Sequence, residues 1–331
     1  QLSSSKHLKG WKKKLAAYST PHTWRSVWQL LNSIVPFILL WLLAYWSLSV
    51  TYWLTLLCII PAAGFLVRIF IIFHDCCHHA FFKQPAWNHL AGIVTGYLVC
   101  CTYLQWKQSH AIHHATSGNL SKRGIGDVWT MTKAEYLAAS PWQRLKYRLY
   151  RHPVIMFGIG PVFLFLIAYR FVRKGARRRE RVHTYLTNLA LGVGIGLMCW
   201  LVGWKAFLMI QGPIFYLAAV AGVWLFYVQH QFEDSYYEKD QEWDYVQAAL
   251  QGSSYYQLPR LLQWFSGNIG FHHVHHLNPK VPNYYLEKAH RSVPRLQQVP
   301  TVTLGKSLKS IKLKLWDEEN KTFVGFKDLS T

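Results

Sequence analysis

Three tight histidine clusters, each set beside a long apolar run, constrain this chain more than any other feature. They are His74 and His78 in HDCCHHAFF, His110, His113 and His114 in HAIHH, and His272, His275 and His276 in HHVHH. His230, in VQHQFE at the end of another apolar run, completes a set of nine. On a helix, residues three and four apart share a face, so H-x-x-x-H and H-x-x-H-H each aim their imidazoles into one small volume. That is how a protein builds a metal site, so the fold must bring distant stretches together.

The 331 residues are 51% hydrophobic and 16% aromatic, yet the mean hydropathy is only +0.06. This combination predicts an integral membrane protein with a large polar face. The net charge of +21 would suggest nucleic acid in a soluble protein. Here Lys and Arg flank apolar runs, where they meet anionic headgroups and fix orientation, so no nucleic-acid partner is expected. The six cysteines (58, 76, 77, 100, 101 and 199) lie in or beside apolar segments without C-x-x-C spacing, as reduced packing residues do. The basic start (Lys9, Trp11, Lys12, Lys13, Lys14) and the length of the first apolar run argue against a cleavable signal peptide.

A helix needs roughly 20 apolar residues to cross the hydrocarbon core. Residues 27–48, 49–73, 184–204 and 206–229 meet this, while 86–106 is mixed and 153–169 is short and broken by Gly158, Gly160 and Pro161. If the clusters build one site, an even number of crossings must separate any two of them. Residues 86–106 and 153–169 are therefore expected to be interfacial or re-entrant. Positive charge at the N-terminus and over Arg170 to Arg181 assigns the histidine side to the cytoplasm. A rival reading with six crossings would put HAIHH opposite HDCCHH and forbid a shared centre.

The expected architecture is an all-α integral membrane protein in one domain: a basic N-terminus (1–26), a transmembrane pair (27–73), a cap with interfacial segments (74–183), a second pair (184–229), then cap and tail (230–331).

Imidazole suits iron, copper, zinc and nickel alike. Nine converging histidines exceed the needs of one ion and suit two metals. Zinc sites usually stop at three or four protein ligands, whereas a pair of redox-active irons can bind and reduce O2. His79 and His273 stand beside candidate ligands but off the shared face, as supporting or packing residues would. His7, His22, His89, His152, His183 and His290 stand singly, as interfacial anchors do. Metal-bound histidines normally donate their other N–H to a carboxylate or carbonyl, which singles out Asp75, Asp127 and Glu233. Asp234 and Asp244 are expected in ordinary salt bridges.

From about residue 70 to 290 the chain resembles the membrane fatty acid desaturases, in the acyl-lipid branch of bacilli and cyanobacteria. HDCCHHAFF, SHAIHHATSGNLSKRGIGDVWTMT, VQHQFE and NIGFHHVHHLNPKVPNYYL carry the likeness. The resemblance implies two non-haem iron ions held by the nine histidines, O2 and two electrons as co-reactants, and a cis double bond introduced into the acyl chain of a membrane lipid or fatty acid. It implies too a separate electron donor such as ferredoxin or flavodoxin, which Arg170 to Arg181 could dock. Many relatives have glycine and a non-histidine where this chain has Cys77 and His79, so the role of His79 stays open. Phe81, Phe82, Trp106, Trp129, Tyr255, Tyr256 and Trp264 are candidates to line an acyl tunnel. A di-iron hydroxylase of alkanes or carotenoids shares the histidine pattern. A haem-binding cytochrome would need axial pairs in mid-bilayer, and a metal transporter would need more ionisable residues within its spans than Arg68.

Overall fold

The computed structural model describes residue 11 and residues 13–330; His7, Lys9 and Lys12 lie outside the described residues. Helices α1 (Thr23–Ser47) and α2 (Tyr52–Cys77) form an apolar hairpin. Near its turn the Ser47 and Thr55 hydroxyls satisfy each other at 2.9 Å. The central helix is α2, with Ile59, Ala62, Leu66, Ile69, Ile72 and Phe73 buried in one continuous core. It carries His74 on its last turn, and His78 caps it. The chain then reverses through His79, whose φ of 52° is left-handed.

Asn88 fixes the next turn. Its Oδ1 accepts from the Phe81 and Phe82 N–H groups at 3.1 and 3.0 Å, and its Nδ2 donates to the Phe82 carbonyl at 2.6 Å. Residues 86–106, read from sequence as one shallow segment, are two helices, α3 (Pro85–Leu98) and α4 (Tyr103–Thr116). They part at Cys100, which has a φ of 55°. Each has 14 residues, about 21 Å at 1.5 Å per residue, too short to cross a core of about 30 Å. The Tyr103 hydroxyl donates to the Cys76 carbonyl at 2.9 Å and ties α4 back onto α2.

After a loop and strand β1 (Met131–Thr132), a helix over Pro141–Tyr150 exposes Trp142, Leu145 and Leu149. It meets Val154–Arg170 at a 54° bend, and by length and composition this pair is a broken span or a re-entrant element. Pro153 stands at the bend and Pro161, lacking an N–H, interrupts the ladder farther on, where the helix widens into π turns.

Helices α5 (Arg178–Val202) and α6 (Trp204–His230) form the second long hairpin. Gly203 links them at φ +84°, a conformation that strains any residue with a Cβ. Gly194 of α5 lies so close to the Tyr97 hydroxyl that a Cβ there would clash, and α3 packs at this point. The α5 face bearing Leu189, Val193 and Trp200 is exposed, as a lipid-facing helix must be. Among the described residues α1, α2, α5 and α6 are the helices long and apolar enough to span a membrane unbroken, which fits the reading with four crossings.

The cap follows α6. It includes strand β2 (Tyr255–Gln257), a helix over Arg260–Phe265, α7 (His272–Leu277), α8 (Asn283–Ser292) and strands β3 (Thr301–Thr303), β4 (Leu315–Asp317) and β5 (Thr322–Val324). β2 and β3 pair in parallel, with Tyr256 opposite Val302. β4 sits between β1 in parallel and β5 antiparallel, so the C-terminal tail folds back onto the loop after α4. Among the described residues, helices dominate the regular structure and the strands are short.

Candidate metal centre

The nine histidines gather into two groups. His74, His78, His110, His114 and His275 place their ligand nitrogens within 4.8 Å of one another, and so do His113, His230, His272 and His276. The groups abut: the rings of His114 and His276 stack with centroids 4.2 Å apart. Because α2, α4, α6 and α7 all meet here, their histidine-bearing ends lie on one side. Six full crossings cannot give that arrangement.

Each H-x-x-H-H box is divided between the groups. On α4, His110 and His114, four apart, serve the first group, and His113 turns to the second. On α7 the pattern inverts, with His272 and His276 in the second group and His275 in the first. The sequence signals a shared face but not this division, which depends on where the two helices cross.

Nε2 atoms face one another at 3.1 Å (His110 and His114), 2.9 Å (His114 and His275), 3.2 Å (His113 and His230) and 2.9 Å (His230 and His272). The Nε2 atoms of His78 and His276 are buried without a hydrogen-bond partner. Such a concentration of imidazole lone pairs in a dry pocket is costly unless a cation receives them. The donor set fits two transition-metal ions. A porphyrin has no room between nitrogens 2.9 Å apart.

Burial, and after it the neighbouring histidines, holds His78, His110, His114, His272, His275 and His276 well below the ordinary imidazole range. They are neutral at pH 7, the form that binds metal.

Three histidines are oriented through Nδ1. That of His74 lies 3.3 Å from Asp75 Oδ1, that of His113 lies 2.5 Å from Asp127 Oδ1, and that of His230 donates to the Gly252 carbonyl at 3.2 Å. Each contact leaves Nε2 free for a metal. Glu233 has no such place. Its side chain is exposed, and its carbonyl accepts from the Thr322 hydroxyl and the Phe323 N–H. Nor do the others form one class: His79 Nε2 meets Lys107 Nζ at 2.5 Å, whereas His273 Nε2 meets His290 Nδ1 at 3.0 Å, outside both groups. His290, read as an interfacial anchor, is thus the partner of His273. Asp244 caps the helix Tyr245–Gln251 by accepting from the Gln247 N–H rather than pairing with a cation.

Of the aromatic candidates, Trp106 reaches the centre, stacking on His110 at 4.3 Å. Trp129 packs on Tyr147, Tyr255 stacks on Phe271, Tyr256 bonds Ser307, and Trp264 lies under the Arg68 guanidinium. Phe81 and Phe82 pack on each other. An apolar cavity of about 30 Å³ lies between α2, α6 and the bent segment, lined by Leu66, Val67, Phe70, Phe165 and Phe215 among others. Phe70 sets its edge against Trp106 at 5.6 Å, so the cavity and the histidine groups share one wall.

Residues 50–302 match the family model described as "Fatty acid desaturase". The chain is 60% identical over 315 residues to a protein of Bacillus subtilis named "Fatty acid desaturase", covering 95% of this chain and 90% of that one. Two proteins of Synechocystis are more distant. The "sn-1 oleoyl-lipid 12-desaturase" is 24% identical over 69% of this chain and 65% of its own. The "sn-1 acyl-lipid omega-3 desaturase (ferredoxin)" is 27% identical over 68% and 63%. In both, the match spans just under two thirds of the relative's length.

Proposed function

The chain belongs to the fatty acid desaturase family, and from that premise we propose that it is an O2-dependent di-iron enzyme that introduces a cis double bond into the acyl chain of a membrane lipid. The observation that carries this reading is the pair of abutting imidazole groups, five and four strong. Two vicinal hydrogens leave the chain as two protons and two electrons; O2 takes these with two further electrons and two protons and becomes two waters.

Bound iron would supply O2 activation and removal of hydrogen from an unactivated carbon. In this reading the five histidines of the first group hold one ion and the four of the second hold the other. Asp75, Asp127 and the Gly252 carbonyl fix the tautomers of His74, His113 and His230. His79 and His273 support neighbouring residues without ligating. Phe70 and Trp106 stand between the apolar cavity and His110 and would keep water from the centre on that side. The ends of α2 and α6, with the cap, lie at the cytoplasmic face of a bacterial plasma membrane, and the whole chain is one catalytic domain. Electrons come from a separate carrier. One Synechocystis relative has ferredoxin in its name, and a small acidic protein of that kind suits the basic cytoplasmic face.

The test is to express the chain in a host lacking its own desaturase and to read the lipids by gas chromatography and mass spectrometry of derivatised fatty acids. New alkenes that depend on O2 and on iron are expected. A hydroxylated or ketone product without alkene would replace desaturation with oxygen insertion.

A further inference from the structure

His78 is the one candidate ligand of the nine that is not fully buried, and two ammonium groups flank it. Lys107 Nζ donates to His79 Nε2 at 2.5 Å, and Lys280 Nζ donates to the His78 carbonyl at 2.7 Å. Each is held by an uncharged acceptor. Among the described residues no carboxylate lies within ion-pair distance of Lys107, Lys280 or Arg179. An ammonium has three N–H donors, so both keep hydrogen-bonding capacity for a further acceptor. Burial keeps Lys107 below the ordinary amine range, with Cys77 opposing and the charges of Lys280 and Arg179 pressing the same way as burial.

The level of this cluster in the molecule selects the anion. Arg179 lies in the first turn of α5, and within the first three turns of that helix Val182, Tyr185 and Leu186 are exposed and apolar. Trp87 and Leu90 of α3 are exposed in the same way. Cations bordering two apolar, lipid-facing helices lie where hydrocarbon gives way to headgroups.

We propose that Lys107, Lys280 and Arg179 form a site for the phosphate of a membrane phospholipid, beside the opening to the first histidine group. The proposal rests on the desaturase reading and deepens it: these three side chains would anchor the headgroup of the lipid whose acyl chain reaches the metals.

The iron-loaded protein in detergent, titrated with dioctanoyl phosphatidylglycerol and with dioctanoylglycerol, tests it, with binding followed by native mass spectrometry. In Arg179→Glu and Lys280→Gln, affinity for phosphatidylglycerol is expected to fall about tenfold, with iron content and affinity for dioctanoylglycerol unchanged. Unchanged phosphatidylglycerol binding in both variants would overturn the site. An equal loss for the uncharged lipid would do so too, by showing a collapsed structure. Displacement of the lipid by millimolar inorganic phosphate would make it a site for the free anion. Normal lipid binding with slower oxidation of reduced ferredoxin would make it a carrier-docking surface. Because binding is read without turnover, absence of alkene from the wild-type protein would sink the desaturase reading and leave the phosphate site standing.

Discussion

Asn283 holds Asp75 with two donors at once: its main-chain N–H and its side-chain amide reach the same carboxylate oxygen, Oδ2, at 2.7 and 2.9 Å. The other oxygen faces His74 Nδ1 at 3.3 Å, and Gln29 of α1 donates to Asn283 Oδ1 at 2.9 Å. A buried chain of contacts thus runs from the first helix to a candidate metal ligand. Asn283→Asp would set a second carboxylate against Asp75 and loosen the His74 ring. Iron affinity is expected to fall about 10- to 100-fold, read as iron per chain after dialysis against a chelator. Gln29→Leu, one contact farther out, is expected to cost less. Full iron retention in Asn283→Asp would refute the chain of contacts.

Asp127 does for the second group what Asp75 does for the first, through its 2.5 Å contact with His113. If the groups hold one ion each, Asp127→Asn and Asp75→Asn should each weaken one ion and spare the other. Titration with ferrous iron is expected to show one tight site in each single variant and none in the double variant. Loss of both ions on either single change would mean that the groups load as one unit.

His273 sits between ligand candidates in sequence and apart from them in space, bonded to His290 at 3.0 Å. His273→Ala should keep its iron while losing about 1–3 kcal/mol of stability, because His290 is left without its partner. His275→Ala, two residues on, should lose iron and product formation together. Iron loss in His273→Ala with an unchanged melting temperature would contradict this division.

The contrast between His273 and His275 shows what the sequence makes legible. Spacing three and four marks which imidazoles share a helix face, and parity of crossings then requires the boxes to meet on one side. Spacing cannot say that His110 and His113, on one turn of α4, part company between two groups, because that depends on how α4 and α7 cross. Nor can it find Asn283, 208 residues from Asp75, since an asparagine outside the boxes carries no local signal. Glu233 misled for the opposite reason: nearness to His230 in sequence suggested a partner, but the chain turns after His230 and the side chain faces outward. The break at Cys100 was equally hidden, since a left-handed cysteine has no compositional mark.

The depressed imidazoles set the direction of the pH response. For His110, His114, His272, His275 and His276 the folded values lie below the unfolded value of about 6.5. Above pH 6.5 both states are neutral and stability does not depend on these groups. Below it the unfolded chain takes up protons that the buried rings refuse, so stability falls as the pH falls. Iron-free protein should therefore melt at progressively lower temperature from pH 6.5 to 5. Added iron should raise the melting temperature at pH 7.5 by mass action, and the gain should shrink at pH 5.5 as protons compete for the ligands. A melting temperature of the iron-free protein that rises on acidification would contradict the assignment of neutral rings.

Arg151 is fully buried and, among the described residues, has no carboxylate within ion-pair distance. Its guanidinium donates to the Gln231 side chain at 3.0 Å, the Leu313 carbonyl at 2.8 Å, and the Trp129 carbonyl and Tyr227 hydroxyl at 3.3 Å each. Its own carbonyl accepts from Lys314 Nζ at 2.6 Å. One side chain therefore joins the loop after α4, the end of α6 beside His230, and the tail entering β4. Arg151→Met keeps much of the volume but leaves the Trp129 carbonyl and the Gln231 amide oxygen without their donor, at about 1–3 kcal/mol for each left unsatisfied. A total loss of about 3 kcal/mol or more is expected, with the β4–β5 hairpin released first because Leu313 leads directly into it. Limited proteolysis should cut Arg151→Met between residues 300 and 330 at protease levels that spare the wild-type protein. Arg151→Lys, a cation without the planar fork, should be intermediate. Resistance of Arg151→Met equal to that of the wild type would show that the tail is held by its strands alone.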